Sequence, residues 1–202
     1  MKKSFGTIVF YSEIKETTCM SKLYPPERDL EIRSCHSEKA KREKYAVWKL
    51  LEHAVREYLN LDFDNIQFTK TPNGKWICPD FSFSLSHTDG LVSVAISETA
   101  VGVDVEKVRD IKEGLSSKVL TKREREYMFS LPTEERSLYL LDCWVKKESD
   151  LKRRGDGALN PTALDSETLT ANVRRLTARE NEFLLSVSSE NEIVELVYME
   201  EI

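Results

Sequence analysis

The sequence predicts an α+β protein made of two similar α+β halves, 1–101 and 102–202, each a small, mostly antiparallel sheet packed on a long helix. Three observations predict it. Residues 37–59 and roughly 134–154 repeat apolar side chains with a helical period. In each half, segments of period-two alternation follow the helix. The stretches SLSHTDGLVSVAIS and LLSVSSENEIVELVY resemble each other in pattern, though hardly in identity. One mixed sheet with helices is the alternative arrangement.

The elements follow in order. Residues 4–11 alternate as a first strand. Residues 37–59 form one long helix with Ser37 as N-cap and an apolar stripe of Tyr45, Trp48, Leu51 (or Leu50), Val55 and Leu59. Residues 65–69 read as a short strand and Pro72-Asn73-Gly74 as a turn. Residues 81–86 and 91–97 are separated by HTDG, a hairpin signal, with Ser86-His87 ending the first strand. Residues 101–105 alternate again, 122–129 and 134–154 are helical, and 172–176, 183–187 and 193–199 read as strands.

Composition narrows the function classes. Of 202 residues, 40% are hydrophobic and 32% charged, which suits a soluble domain with an ordinary core. No apolar run approaches the roughly 20 residues of a membrane span, and the N-terminal apolar run is shorter than the roughly 7–15 residues of a signal-peptide core. The expectation is a cytoplasmic protein with no membrane partner. Cys19, Cys35, Cys78 and Cys143 are widely spaced, without a Cys/His cluster of zinc-site spacing. A net charge of −5 speaks against nucleic acid as a partner, although KAKREK (39–44) and KRR (152–154) are locally basic.

One residue is out of place in its pattern. At 100° per residue, Leu141, Trp144, Glu148 and Leu151 share a helical arc with Lys152 at its edge, while Lys146, Asp150 and Arg153 take the other face. A carboxylate pointing where apolar side chains point is costly unless a cation or donors receive it. On the strand 101–105 and beyond, Val101, Val103 and Val105 face one way and Gly102, Asp104 and Glu106 the other. Two carboxylates on one face repel unless a cation lies between them, and an all-oxygen site suits Mg²⁺. Asp104, Glu106 and Glu148 are therefore the candidate metal ligands. Lys152 is a candidate to reach phosphate oxygens, as is His87, and Gly155 is a helix C-cap or a point of close backbone approach. The plainer readings are an exposed strand face, an i,i+4 ion pair and a turn histidine. No nucleophile elbow, Walker A or GxGxxG occurs.

Gly74-Lys75, FSLSH (83–87), GVDVEK (102–107) and WVKKESDLKRRGDGAL (144–159) occur in this order. Together they resemble the 4′-phosphopantetheinyl transferases of the Sfp type, whose patterns are roughly G-K-P, F-N-x-S-H, G-[IV]-D-[IV]-E and W-x-x-K-E-[AS]-x-x-K-x-x-G-x-G-L. Trp76 stands where the family has proline. The resemblance covers roughly residues 70–160. It implies two halves related by a pseudo-twofold, with coenzyme A in the cleft between them. It further implies transfer of the phosphopantetheine arm to a serine of an apo acyl or peptidyl carrier protein, with release of adenosine 3′,5′-bisphosphate. By position, Asp104, Glu106 and Glu148 would surround Mg²⁺, and Glu148 and Lys152 would be catalytic. Lys75, Ser86, His87, Asp104, Lys147 and Lys152 would contact coenzyme A, and Arg42 and Lys44 are candidates for its 3′-phosphate. The carrier would dock on residues 108–130, steered by Lys118, Lys122, Arg123 and Arg125, unless the apolar members there pack on their own domain. By analogy the chain is a monomer. A catalytically idle coenzyme A- or carrier-binding relative, and an unrelated Mg²⁺-dependent phosphohydrolase, are the rival readings.

Overall fold

Alternation and helical period become the elements they predict, with additions between them. The computed structural model describes residues 6–15, 20–155 and 160–200. Residues 4 and 5 of the first expected strand, Cys19, and Asp156 to Leu159 of the GDGAL motif lie outside them. In chain order the elements are strand β1 (Thr7–Glu13), helices α1 (Pro26–Arg33) and α2 (Glu38–Tyr58), and the short strands β2 (Thr69–Lys70) and β3 (Trp76–Ile77). Strands β4 (Ser82–Thr88), β5 (Leu91–Ser97) and β6 (Val101–Lys107) follow, then helices α3 (Ser116–Val119), α4 (Lys122–Ser130) and α5 (Thr133–Arg154). Strands β7 (Ala171–Ala178), β8 (Asn181–Ser189) and β9 (Ile193–Tyr198) complete the order.

The fold is a mixed α+β architecture with a long helix on each of two small sheets. The first sheet has the order β4-β5-β1-β9, the second β6-β8-β7. Helix α2 starts where Ser37 accepts the Ala40 N–H at 3.3 Å. It buries Trp48, Leu51 and Val55 against Phe10, Phe83, Val92, Val94 and Ile96 of the first sheet. The opposite face of that sheet, with Val9, Leu91 and Ala95, meets Val101, Val103, Val105, Phe183, Leu185 and Val187 of the second. Helix α5 covers the remaining face, with Leu141 and Val145 against Leu184, and ends at Gly155, whose φ of +74° is the left-handed C-cap.

The structure corrects the sequence reading in four places and adds a helix to it. Residues 65–69 are not a strand: Phe63–Asn65 is a 3₁₀ turn, and only Thr69–Lys70 pair, with Trp76–Ile77. Strand β4 runs through Ser86 and His87 to Thr88, because the turn is made by Asp89-Gly90 alone, Gly90 taking φ +94°. Helix α1 starts with Pro26 in its first turn and Glu27 and Asp29 near its N-terminus, a start signal in a segment too short for visible periodicity. The last two strands do not form a hairpin. Strand β9 crosses to the first sheet and lies parallel to β1, Phe10 opposite Val197. The crossing is fixed by side chains: Ser189 Oγ and Thr7 Oγ1 are 2.6 Å apart, and Ser189 accepts the Asn191 N–H. Finally, Asp150 is not on a solvated face. It is 1% exposed, paired with Arg153 and Arg154, because that side of α5 lies on β8.

Candidate active site

The site begins with a glycine. A Cβ on Gly102 would lie 1.8 Å from the Ser149 carbonyl oxygen and 2.5 Å from Arg153 N, so α5 rests directly on the backbone of β6. That close approach carries Glu148 and Lys152 to the strand face bearing Asp104 and Glu106. Lys152 Nζ donates to Asp104 Oδ1 at 2.6 Å and to Ser86 Oγ at 3.0 Å. Ser86 Oγ in turn donates to the same Asp104 oxygen at 2.9 Å. Asp104 is 6% exposed, and its other oxygen, Oδ2, is buried with no hydrogen-bond partner. A buried carboxylate oxygen without a donor is expensive and asks for a cation or a water.

Glu148 stands beside it, half-buried. Burial and the negative charge of Asp104 hold its carboxyl above the usual range, Glu106 adding to the effect and Lys152 opposing it. Glu106 is pushed the same way by burial, with Asp104 adding; Arg109, 3.0 Å from its Oε2, opposes. The carboxylates thus repel one another across the interval between α5 and β6. Among the described residues no group of three or more His, Cys, Asp or Glu side chains is gathered closely enough to hold a metal ion as it stands. The donor chemistry still fits a hard divalent cation: all-oxygen, with mutual repulsion and one orphaned buried oxygen. Asp104, Glu106 and Glu148 are the residues that could hold it.

Beside Glu148 and Lys152 opens a cavity of about 560 Å³, lined also by Arg28, Lys75, Trp76, Phe83, Ser84, Leu85 and Leu151, with Asn73, Gly155 and Pro161 at other points of the wall; Asp104, Glu106, Ser86 and His87 do not line it. Lys75 Nζ donates to the Lys152 carbonyl at 2.6 Å, tying the β2–β3 turn to the end of α5. Asn73 Nδ2 makes a second tie, to Gly155 O at 3.2 Å. Burial and the nearby Lys152 lower the Lys75 ammonium from its ordinary value. Trp76, the residue in place of proline, packs on Trp48 and donates its indole N–H to Glu31 at 3.0 Å.

His87 lies at the far side of Ser86, its Nδ1 3.2 Å from Glu43 Oε2. Burial and the cations of Lys152, Lys44 and Arg28 push its pKa down to about 4. A half-buried neutral imidazole with three cations around it is a setting that favours an anion. Lys44 donates to Cys35 Sγ at 3.4 Å, and neither Arg42 nor Lys44 lines the cavity. Lys147 does not join the group. Its Nζ is wholly buried, donating to Glu124 Oε2 at 2.5 Å and to the Val119 carbonyl at 2.8 Å. Glu124 also receives the Thr121 and Ser166 N–H groups, and these donors hold its carboxyl down at about 2 against the opposing effect of burial. Lys147 is a strut between α5 and the α3–α4 region.

Sequence reasoning missed Arg28. It is 5% exposed, lies over the Trp48 ring at 4.9 Å and pairs with Glu31, yet its Nε has no partner and it lines the cavity. The signal was the helix start at Pro26, which would have placed this arginine on a helix next to α2.

With this geometry in place, the comparisons with known proteins bear on it. Residues 100–196 match the family model described as the 4′-phosphopantetheinyl transferase superfamily. The chain is 30% identical over 111 residues to 4′-phosphopantetheinyl transferase psf-1 of Bacillus pumilus, covering 54% of this chain and 48% of that one. It is 29% identical over 150 residues to 4′-phosphopantetheinyl transferase Sfp of Bacillus subtilis (strain 168), covering 73% and 66%. It is 31% identical over 117 residues to 4′-phosphopantetheinyl transferase HetI of Nostoc sp. (strain PCC 7120 / SAG 25.82 / UTEX 2576), covering 54% and 49%. The chain spans about half the length of most of these curated relatives and about two thirds of the Sfp enzyme.

Proposed function

We propose, from the premise that this chain is a relative of the 4′-phosphopantetheinyl transferases, that it transfers the 4′-phosphopantetheine arm of coenzyme A to a serine hydroxyl of an apo acyl or peptidyl carrier protein. The observation that carries the reading is that Glu148 and Lys152 of α5, which line a cavity that also presents Arg28 and Lys75, meet behind its wall the carboxylate of Asp104 from β6, bonded to Lys152 through one oxygen and orphaned at the other.

The chemistry follows from those groups. A bond forms between the serine Oγ and the β-phosphorus of coenzyme A, and the bond from that phosphorus to the oxygen of the α-phosphate breaks. Adenosine 3′,5′-bisphosphate leaves with the electron pair. The serine proton goes to Glu148, directly or through a water. Lys152 stands where charge grows on the leaving phosphate, and phosphoryl transfer is served by such positioned charge more than by covalent help. Asp104, Glu106 and Glu148 would hold Mg²⁺, which supplies charge neutralisation on the diphosphate when bound. Lys75, His87 and Arg28 take the remaining phosphates, and the apolar wall of Trp76, Phe83 and Leu85 takes the adenine or the arm. Arg42 and Lys44 lie further out and serve a distant phosphate only by long-range attraction.

The halves 1–101 and 102–202, related by a pseudo-twofold, frame the cleft in this reading. The enzyme works in the cytoplasm as a monomer, which light scattering checks. The carrier docks on the 108–130 region, steered by Lys118, Lys122, Arg123 and Arg125. Among the described residues no helix is long and apolar enough to cross a membrane. The decisive experiment mixes the protein with coenzyme A, Mg²⁺ and an apo carrier and weighs the carrier. A gain of one phosphopantetheine, lost with EDTA or in Glu148→Gln, supports the reading. Tight coenzyme A binding with no gain identifies an idle relative instead, and phosphate release without a carrier identifies a hydrolase.

A further inference from the structure

Strand β4 carries a hydroxyl at every second position, and three of the four, Ser84, Ser86 and Thr88, are buried. These do not serve their own sheet. They accept the backbone N–H groups of Val103, Val105 and Lys107 on β6, at 3.0, 3.1 and 3.4 Å. The register is constant, so each hydroxyl also meets the side chain one residue earlier on β6. Ser86 donates to Asp104 at 2.9 Å, and Thr88 to Glu106 at 3.5 Å. Opposite Ser84 the matching position is Gly102, which has no side chain.

A hydroxyl whose lone pair is taken by a backbone N–H has little freedom left in where its own proton points. Ser86 is more constrained still, because Lys152 Nζ donates to it at 3.0 Å. Such a hydroxyl is a fixed donor, and a carboxylate that accepts from it is fixed in rotamer. On Asp104 this engages Oδ1 and leaves Oδ2 as the oxygen without a partner.

We infer that Ser86 and Thr88 are positioning residues, whose backbone-anchored hydroxyls set the directions of Asp104 and Glu106 for a shared divalent cation, while Ser84 ties the two sheets together and faces no carboxylate. The inference rests on the reading of Asp104 and Glu106 as metal ligands. It reassigns Ser86 from a contact of coenzyme A to a support of Asp104 and adds Thr88 to the site.

The test is a Mn²⁺ titration of the full chain, read by the electron paramagnetic resonance of free Mn²⁺, with neither coenzyme A nor carrier present, so that nothing turns over and the cavity wall, to which Ser84 belongs, plays no part. Loss of a hydrogen bond that orients a metal ligand weakens affinity about 10–100-fold. Ser86→Ala should fall in that span and Thr88→Val near its lower end, with Thr88→Ser restoring affinity. Ser84→Ala, which loses the same kind of backbone tie but faces no carboxylate, should stay within about twofold of the wild type. Equal losses at all three positions, or none at any, overturn the inference. Circular dichroism of each sample reports folding, and if Ser86→Ala does not fold, the contrast between Thr88→Val and Thr88→Ser decides. A wild type that takes up no Mn²⁺ sinks the metal reading itself and the inference with it, an outcome told apart by the first titration.

Discussion

Replacing Gly102 by alanine should separate the two elements of the site. The new Cβ would stand 1.8 Å from the Ser149 carbonyl oxygen, where ordinary contact begins at 3.4 Å, so α5 must retreat by about 1.6 Å. The obstacle is helix backbone rather than a flexible side chain tip, so the cost lies at the upper end of the usual range for overpacking, about 3 kcal/mol. For a chain of this length each kcal/mol moves the melting point by roughly 2–4 °C, which predicts a fall of about 6–12 °C. The same retreat lengthens the 2.6 Å contact between Lys152 and Asp104 and carries Glu148 away from β6. A misplacement of about 1 Å costs on the order of 100-fold in rate, so the carrier-loading rate should drop by at least that much. Differential scanning calorimetry and the mass-spectrometric loading assay measure the two effects. A variant melting within about 2 °C of the parent, with its rate intact, would refute the claim that backbone contact at residue 102 sets the site.

Four further outcomes follow from the charges. Lys147→Met leaves Glu124 buried and unpaired and should cost about 3–5 kcal/mol by urea unfolding, the double change with Glu124→Leu recovering only part of it, since Glu124 also holds the Thr121 and Ser166 N–H groups. Glu31 and Glu124 are both held down at about 2, so the stability they confer is whole above about 4.5 and disappears as pH falls from there towards 2. A melting profile of the Lys147→Met variant that kept the parent's full acid slope would contradict this. Glu148→Gln should abolish transfer yet melt higher than the wild type in EDTA at pH 7, by about 0.5–2 kcal/mol. The sign follows from a carboxyl whose folded pKa is raised, so that its ionisation opposes folding at neutral pH, and the gap should close once the pH falls below the usual carboxylate range. His87 should titrate near 4 by NMR, and an inflection at the ordinary value near 6.5 would show that the surrounding cations and burial do not act on it.

The long helix 37–59 was legible because one face is solvated and its N-cap is local. Helix α5 was harder to read, since it is covered on two sides. Its buried Lys147 is satisfied by Glu124 of α4, and a partner on another helix leaves no mark in helical periodicity; Asp150 has Arg153 and Arg154 one turn along α5, a spacing that a solvated face shows equally well. Glu148 was found as an anomaly of the apolar arc, although Lys147 and Asp150 are more deeply enclosed. Asp104 and Glu106 were readable from the strand alternation, which the packing of Val101, Val103 and Val105 in one apolar cluster bears out. Arg28 was hidden because α1 is short, with charged residues at most positions. The destination of β9 could not be read at all: its alternation says strand, and nothing local says which sheet.

That destination has a consequence for biogenesis. Strand β1 is interior to its sheet, yet its neighbour on one side is made from residues 193–198, synthesised some 180 residues later. While a ribosome translates the intervening chain, one edge of β1 stays open, flanked by apolar side chains such as Val9 and Phe10. Unpaired strand edges of that kind are prone to join one another between chains. Until residues 193–198 emerge, the nascent protein therefore keeps an edge open to such pairing, and holding chaperones that cover residues 7–13 would act on it throughout that interval.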